Sequence, residues 1–281
     1  MRIKTAIRAA TPLLLALLLA GADCSQDDDD TTGDDDVTGD DDTSGDDDSS
    51  DDDSSADDDT SGDDDTSGDD DAAWIDVASA VKHTCGITTA GAVLCWGGDE
   101  FGQLDVPTGS FTRVATGHFH SCAIDLAGAV TCWGINDRGQ SDPPAVAFVD
   151  LALGRDHSCG MHADATIECW GSDDWGQSAA PPVATFGAIG AGEGHSCGLR
   201  TAGELACWGI DDDGQATPPQ GTYASLSSGT FNNCALDGGG LAFCWGKDEW
   251  GQSTPPAGAF TQVAAGGAHA CGLRTDLSTE C

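Results

Sequence analysis

Twelve of the thirteen cysteines and five of the seven histidines stand at recurring positions, and these are the residues whose types and spacing could do chemistry. One series is Cys85, Cys122, Cys159, Cys197, Cys234 and Cys271; the second is Cys95, Cys132, Cys169, Cys207, Cys244 and Cys281. Two places before the first cysteine stands His83, His120, His157, His195 or His269, with Asn232 in the fifth copy. A His-x-Cys pair with a distal Cys offers three zinc-type ligands, as at His120, Cys122 and Cys132. Six identical zinc sites are not expected in an exported chain, and Asn232 breaks the set, so no metal is expected. The repetition also argues against catalysis. A catalytic group is singular and has partners found nowhere else, whereas a histidine demanded by nearly every copy is a structural hydrogen bonder. His118 and His162 alone fall outside the register, and neither has a nucleophile or carboxylate constellation. P-loop and His-Glu-x-x-His motifs are absent. The expectation is no enzyme, no catalytic residue and no cofactor.

The elements that must position the cysteines follow from the repeat. Both cysteine series step by 37, 37, 38, 37 and 37 residues, as do the aromatic openers Trp74, Phe111, Phe148, Phe186, Tyr223 and Phe260. Gly-Gln pairs recur at Gly102-Gln103, Gly139-Gln140, Gly176-Gln177, Gly214-Gln215 and Gly251-Gln252. A unit of this length cannot bury a core alone, so the copies must pack on one another. In the second copy 111–114 reads as a short strand, and 120–125 and 129–134 as a hairpin across Leu126-Ala127-Gly128. Centring the turn on Ala127 sets Ile124 opposite Val130, Cys122 opposite Cys132 and His120 opposite Gly134. The other face then sets Trp133 against Ser121, which is small enough to leave room for the indole. Both faces read as buried, which suits blades stacked radially. Directly opposed strand positions lie within disulfide range, which predicts Cys85-Cys95, Cys122-Cys132, Cys159-Cys169, Cys197-Cys207, Cys234-Cys244 and Cys271-Cys281. Cys24 is left over. The connector, such as 135–144, is rich in Gly, Asp and Pro and carries no helix signal. Three short strands per unit and many glycines indicate an all-β fold, a β-propeller of about six three-stranded blades over 72–281.

The pattern Val-Ala-x-Gly, His-x-Cys, Cys-Trp-Gly, acidic pair, Gly-Gln resembles the regulator of chromosome condensation repeat. It is closer still to the short bacterial, three-stranded form found in the type II β-lactamase inhibitory protein. The resemblance covers roughly residues 74–281. It implies a propeller whose relatives are commonly seven-bladed, whereas six strand triplets are counted here, the sixth reaching Cys281 where Trp and Gly would be next. Among the activities it implies, enzyme inhibition of the β-lactamase-inhibitor type is an alternative function. Guanine-nucleotide exchange, known in eukaryotic relatives, is the least expected in an exported chain.

The segment before the repeats accounts for the compartment and for most of the charge. Arg2, Lys4 and Arg8 precede an apolar run at 13–20 that ends in Ala20-Gly21-Ala22, which reads as a signal peptide over 1–23. Two processing routes stay open. One is cleavage after Ala22; the other is lipid attachment at Cys24 in a lipobox-like context, from which Asp23 departs. Residues 24–71 form an Asp-rich linker. Its 25 aspartates, in Asp-Asp-Asp units separated by Thr, Ser and Gly, dominate a formal net charge of −39. With almost no apolar residues this stretch is expected to be a disordered, self-repelling spacer. Calcium binding there is a further alternative, although the spacing lacks the alternating ligands of an EF-hand-type loop. Residues 72–281 keep seven basic and 23 acidic residues, so no nucleic-acid partner is expected. The membrane enters only through Cys24. The expected location is the bacterial outer membrane or cell surface as a lipoprotein, or secretion.

Positions that vary between copies locate the candidate surface. Just before each Gly-Gln stands Phe101, Arg138, Trp175, Asp213 or Trp250, preceded by Asp99-Glu100, Asn136-Asp137, Asp173-Asp174, Asp211-Asp212 or Asp248-Glu249. On a radial array these connectors share one rim, which would set Asp99, Glu100, Phe101, Asp137, Arg138, Asp173, Asp174, Trp175, Asp211, Asp212, Asp248, Glu249 and Trp250 on a common face. Aromatic anchors amid charge suit a protein-binding surface. The competing reading makes the acids turn-formers bonding their own backbone and packs the aromatics between connectors. The functional expectation is a non-enzymatic, exported binding module for an unknown protein or peptide of cationic character.

Overall fold

The computed structural model describes residues 73–281. The expected leader at 1–23, Cys24 and the linker at 24–71 lie outside the described residues. Eighteen strands pair in chain order into six antiparallel sheets of three. The first comprises β1 (Trp74–Ser79), β2 (His83–Thr88) and β3 (Val93–Gly97); the second β4 (Phe111–Thr116), β5 (His120–Asp125) and β6 (Val130–Gly134). The third is β7 (Asp150–Leu153), β8 (His157–Met161) and β9 (Ile167–Gly171); the fourth β10 (Phe186–Ala191), β11 (His195–Arg200) and β12 (Leu205–Gly209). The fifth is β13 (Tyr223–Ser228), β14 (Asn232–Asp237) and β15 (Ala242–Gly246); the sixth β16 (Phe260–Ala265), β17 (Ala270–Arg274) and β18 (Thr279–Glu280). The β-propeller expected from the sequence is the fold observed.

The hairpin register follows from its turn. Asp125 and Ala129 close the β5–β6 loop, with the Asp125 amide donating to the Ala129 carbonyl at 3.0 Å, and Asp125 Oδ1 caps the amides of Ala127 and Ala129. Counting back from that pair sets Ile124 opposite Val130, Cys122 opposite Cys132, Ser121 opposite Trp133 and His120 opposite Gly134, as the sequence predicts. The cysteines fall on a non-hydrogen-bonded pair, the closer of the two antiparallel spacings. All six pairs are bridged: Cys85–Cys95, Cys122–Cys132, Cys159–Cys169, Cys197–Cys207, Cys234–Cys244 and Cys271–Cys281, with Cα atoms 4.0–4.1 Å apart. At the far end Gly134 has φ of 94°, and an added Cβ would stand 2.5 Å from the Phe119 carbonyl oxygen. Only glycine fits there, which explains the Cys-Trp-Gly signature.

The core lies between the sheets. One cluster joins Cys85, Ile87 and Val93 of the first sheet to Phe111, Val114, Ala123 and Trp133 of the second. Equivalent sets join Cys122 and Ile124 to Phe148, Leu153 and Trp170, and Cys197 and Leu199 to Tyr223, Ala235 and Trp245. Within the series a sheet thus turns its cysteine face to the next sheet and its tryptophan face to the one before, so the sheets between the first and the last bury both faces and simple polar alternation disappears. The first strands β1, β4, β7, β10, β13 and β16 neighbour one another in order. The first five supply the lining of an axial cavity of about 340 Å³, which also holds the Arg113–Asp150 pair at 3.2 Å. At the start of the series the tryptophan face is open: Trp96 is 47% exposed, against 7% for its counterpart Trp133.

Candidate functional site

The rim grows out of one recurring hydrogen-bond arrangement at the ends of the sheets. After each Cys-Trp-Gly the connector is tied to the loop between the first and second strands. Gly98, Ile135, Ser172, Ile210 and Lys247 donate their amides to the carbonyls of Lys82, Phe119, Asp156, Gly194 and Phe231 at 2.8–3.0 Å. The Gly-Gln glutamines are buried, and their Oε1 atoms accept the amides of Phe101, Arg138, Trp175, Asp213 and Trp250 at 2.7–2.8 Å. This brings the varying residue of every connector to the same end of its sheet.

The acidic pairs divide by position. The first member builds the loop: Asp99, Asn136, Asp173, Asp211 and Asp248 accept through Oδ1 the amides of Leu104, Ser141, Ser178, Ala216 and Ser253 at 2.7–2.9 Å. Asp211 and Asp248 also accept the hydroxyls of Thr217 and Thr254 through Oδ2. The turn-forming reading therefore holds for Asp99, Asp173, Asp211 and Asp248. The second member, Glu100, Asp137, Asp174, Asp212 or Glu249, points outward. Asp174 pairs with Arg138 at 3.4 Å and Glu249 with Lys247 at 3.1 Å; Glu100 and Asp212 have no ion pair among the described residues. The aromatics lean on the following sheet while staying accessible. The Phe101 ring meets Phe119 edge-on at 5.3 Å, and Trp175 lies over Gly194, where an added Cβ would come within 2.6 Å of it. Phe101 is 45%, Trp175 47% and Trp250 75% exposed.

Sequence reasoning missed the loops that share this rim. His118, Arg155, Glu193 and Thr230 follow the inner glycine of successive copies. Arg155 Nη1 bonds Glu193 Oε1 at 2.7 Å, and His118 lines a cavity of about 370 Å³ at the axis. Their signal was present, since they vary between a fixed Gly and a fixed His, as the connector residues vary before Gly-Gln.

Four of the five recurring histidines, His83, His120, His157 and His195, form a relay between sheets, whereas His269 is exposed. His120 Nε2 meets Ser158 Oγ at 2.8 Å, and Ser158 donates to the Gln140 carbonyl at 2.9 Å, so the imidazole N–H is the donor to the serine. His157, Ser196 and Gln177 repeat this at 2.8 and 3.0 Å. His195 donates to Asn233 Oδ1, whose amide donates to the Gln215 carbonyl. Burial, reinforced by neighbouring His157, His83 and His118, lowers the pKa of His120 to about 3. Burial, with His195 and His118, does the same to His157. These neutral rings hold sheets together, and among the described residues no three His, Cys, Asp or Glu side chains gather as a metal site. No described helix is long and apolar enough to cross a membrane.

Residues 74–103, 111–140 and 188–215 match the family described as "Regulator of chromosome condensation (RCC1) repeat". No curated protein matches the chain. Among solved structures, the ectodomain of the Arabidopsis thaliana receptor kinase ACR4 is 26% identical, with a TM-score of 0.61, over 72% of this chain and 75% of that one. The ectodomain of the Physcomitrella patens receptor kinase CR4 is 29% identical, with a TM-score of 0.63, over 73% of this chain and 59% of its own length. Yeast RCC1, solved with Kap60 bound to it, shares the fold at 17% identity and a TM-score of 0.62, over 74% and 69% of the two chains. Six disulfides and similarity to two receptor ectodomains fit an exported protein. The repeats of this chain resemble those of the regulator of chromosome condensation family, in sequence at three places and in fold across the sheets.

Proposed function

We propose that the chain is a non-enzymatic, exported binding module that takes a protein or peptide with basic groups on its connector rim. The observation that carries this reading is the division of labour in the connectors. One acid of each pair is consumed in the loop, while the outward acids stand beside the exposed rings of Phe101, Trp175 and Trp250. A rigid scaffold that presents aromatic anchors among negative charge suits a cationic partner, which it would steer as well as hold. In yeast RCC1 a fold of this kind binds another protein, Kap60. Attachment through Cys24 would place the rim at the cell surface, with 24–71 as its tether.

Selection from a displayed peptide library tests the rim. The expected outcome is enrichment of peptides with net positive charge whose binding weakens as salt rises. Alanine at Phe101, Trp175 and Trp250 together is expected to weaken the selected peptides by at least about 2 kcal/mol, the scale of an interface hot spot. Equal binding by that variant removes the rim from the site.

A further inference from the structure

Two residues after each aromatic opener stands Asp76, Arg113, Asp150, Ala188, Ser225 or Gln262. The position lies on the first strand of each sheet, and the repeat does not require charge there, since the fourth, fifth and sixth copies do without it. The first three copies nevertheless set two carboxylates and a guanidinium on the neighbouring strands β1, β4 and β7. Burying charge gains a fold little stability even when the charges pair, so these three side chains ask for another reason to be there.

All three line the axial cavity of about 340 Å³. Arg113 Nη1 stands 3.2 Å from Asp150 Oδ1, its one ion-pair partner among the described residues, and the Arg113 side chain is 45% exposed. A guanidinium carries five N–H donors in a planar fork, so this single pairing leaves donors to spare. Asp76 is buried, its Oδ2 accepts the Val114 amide at 2.8 Å, and it has no ion pair among the described residues. Burial raises its pKa, against the Val114 amide and Arg113, which marks a carboxylate short of a counter-ion. Thr116 Oγ1 and Ser228 Oγ belong to the same wall and are buried with no hydrogen-bond partner among the described residues. Val114, Leu153, Ile189 and Leu226 make the rest of the lining apolar.

We propose that this cavity binds a small zwitterion, an aliphatic α-amino acid, with its carboxylate on Arg113 and its ammonium on Asp76. A guanidinium with free donors, a carboxylate without a counter-ion and an apolar wall are the complement of that ligand's three parts. The fork of Arg113 suits a carboxylate, which can take two parallel N–H donors. The three donors of an ammonium divide between Asp76 and the hydroxyls of Thr116 and Ser228, which accept as well as donate. A simple amine would leave the guanidinium donors unused. A simple acid would leave Asp76 unpaired, which is unfavourable for a buried charge. The volume lies in the range of sites for single small molecules. This site stands apart from the rim reading, because a solute at the axis needs none of Phe101, Trp175 and Trp250.

The test is calorimetric titration of the full chain with L-leucine and with its two halves, isoamylamine, which lacks the carboxylate, and isocaproate, which lacks the ammonium. Saturable one-to-one binding of leucine is expected, with each half at least about tenfold weaker, the loss of one charge-assisted hydrogen-bonded group. Arg113→Met is expected to bring leucine down to the level of the amine and leave the amine unchanged. Asp76→Asn is expected to bring leucine down to the level of the acid and leave the acid unchanged. That crossed pattern separates contact with the ligand from a structural role, which would weaken all three probes alike. Absence of saturable leucine binding, equal binding by either half, uniform weakening of the probes in the variants, or undiminished leucine binding to both folded variants overturns the proposal. Should the variants fail to fold, leucine and its halves against the native chain decide it.

Discussion

At the scale of single residues, each inter-sheet relay depends on a neutral imidazole. His120 and His157 are fully buried, and each has an Nδ1 with no partner among the described residues. A second proton would therefore enter without a hydrogen bond to receive it. Their folded pKa of about 3 lies below the unfolded value near 6.5, so between these limits the unfolded chain binds more protons and stability falls as pH falls. Each contributes a loss of about 1.4 kcal/mol per pH unit across that window, so the two together cost about 4 kcal/mol at pH 5 relative to pH 7. Asp76 and Asp150 act in the opposite sense. Burial raises both, so the folded state takes their protons first and gains some stability as pH falls toward the ordinary carboxylate range. Urea unfolding at a series of pH values is expected to show the histidine loss, and His120→Asn is expected to flatten it. The fifth copy already places Asn232 at that position, with its amide on the Gln252 carbonyl.

At the scale of the element, the hairpin is the self-sufficient unit. Its register was legible because a short loop ending in glycine fixes the first pair and period-two alternation carries the count to Cys122–Cys132. Closing so short a loop constrains the unfolded chain, and alanine at both Cys122 and Cys132 is expected to cost about 2–3 kcal/mol in urea unfolding. The value is expected to be similar for Cys159 and Cys169, whose blade has the same loop length. Less legible was the inner strand. The pairing of β4 with β5 slips between Phe111 and Arg113, leaving Thr112 as a bulge. That slip depends on how the strand curves along the axis, which no residue type announces. The acidic pairs were half legible. Asp99 and Glu100 look alike in sequence, but only the residue nearer the Cys-Trp-Gly corner reaches the Leu104 amide, and that reach is set by the backbone path.

At the scale of the whole molecule, stability resides in the packing of one sheet on the next, so equivalent residues are not energetically equivalent. Trp133 is buried against Cys85, Ile87 and Val93, whereas Trp96, at the same place in the repeat, is 47% exposed. Trp133→Ala is expected to cost about 3–5 kcal/mol, the range for a deleted core aromatic. Trp96→Ala is expected to cost less than about 1 kcal/mol, the range for a surface change. Equal losses in urea unfolding would mean that the first sheet is covered in solution as the second is. The rim belongs to this scale too, because Phe101, Trp175 and Trp250 come from copies tens of residues apart and face the same way only through the radial repeat.

By itself the sequence determined the repeat, the strand triplet, the hairpin register, the six cysteine pairs and the structural character of four of the five recurring histidines. These depend on turn chemistry and on alternation over fewer than twenty residues, and six copies state them six times. Only the tertiary structure decided which copies bury their tryptophan, which acid of each pair points outward from its loop, and that Arg155 of the neighbouring loops bonds Glu193. Those features are set by what the neighbouring sheet places opposite a residue, and a neighbour 37 residues away, or its absence, leaves no mark on local spacing.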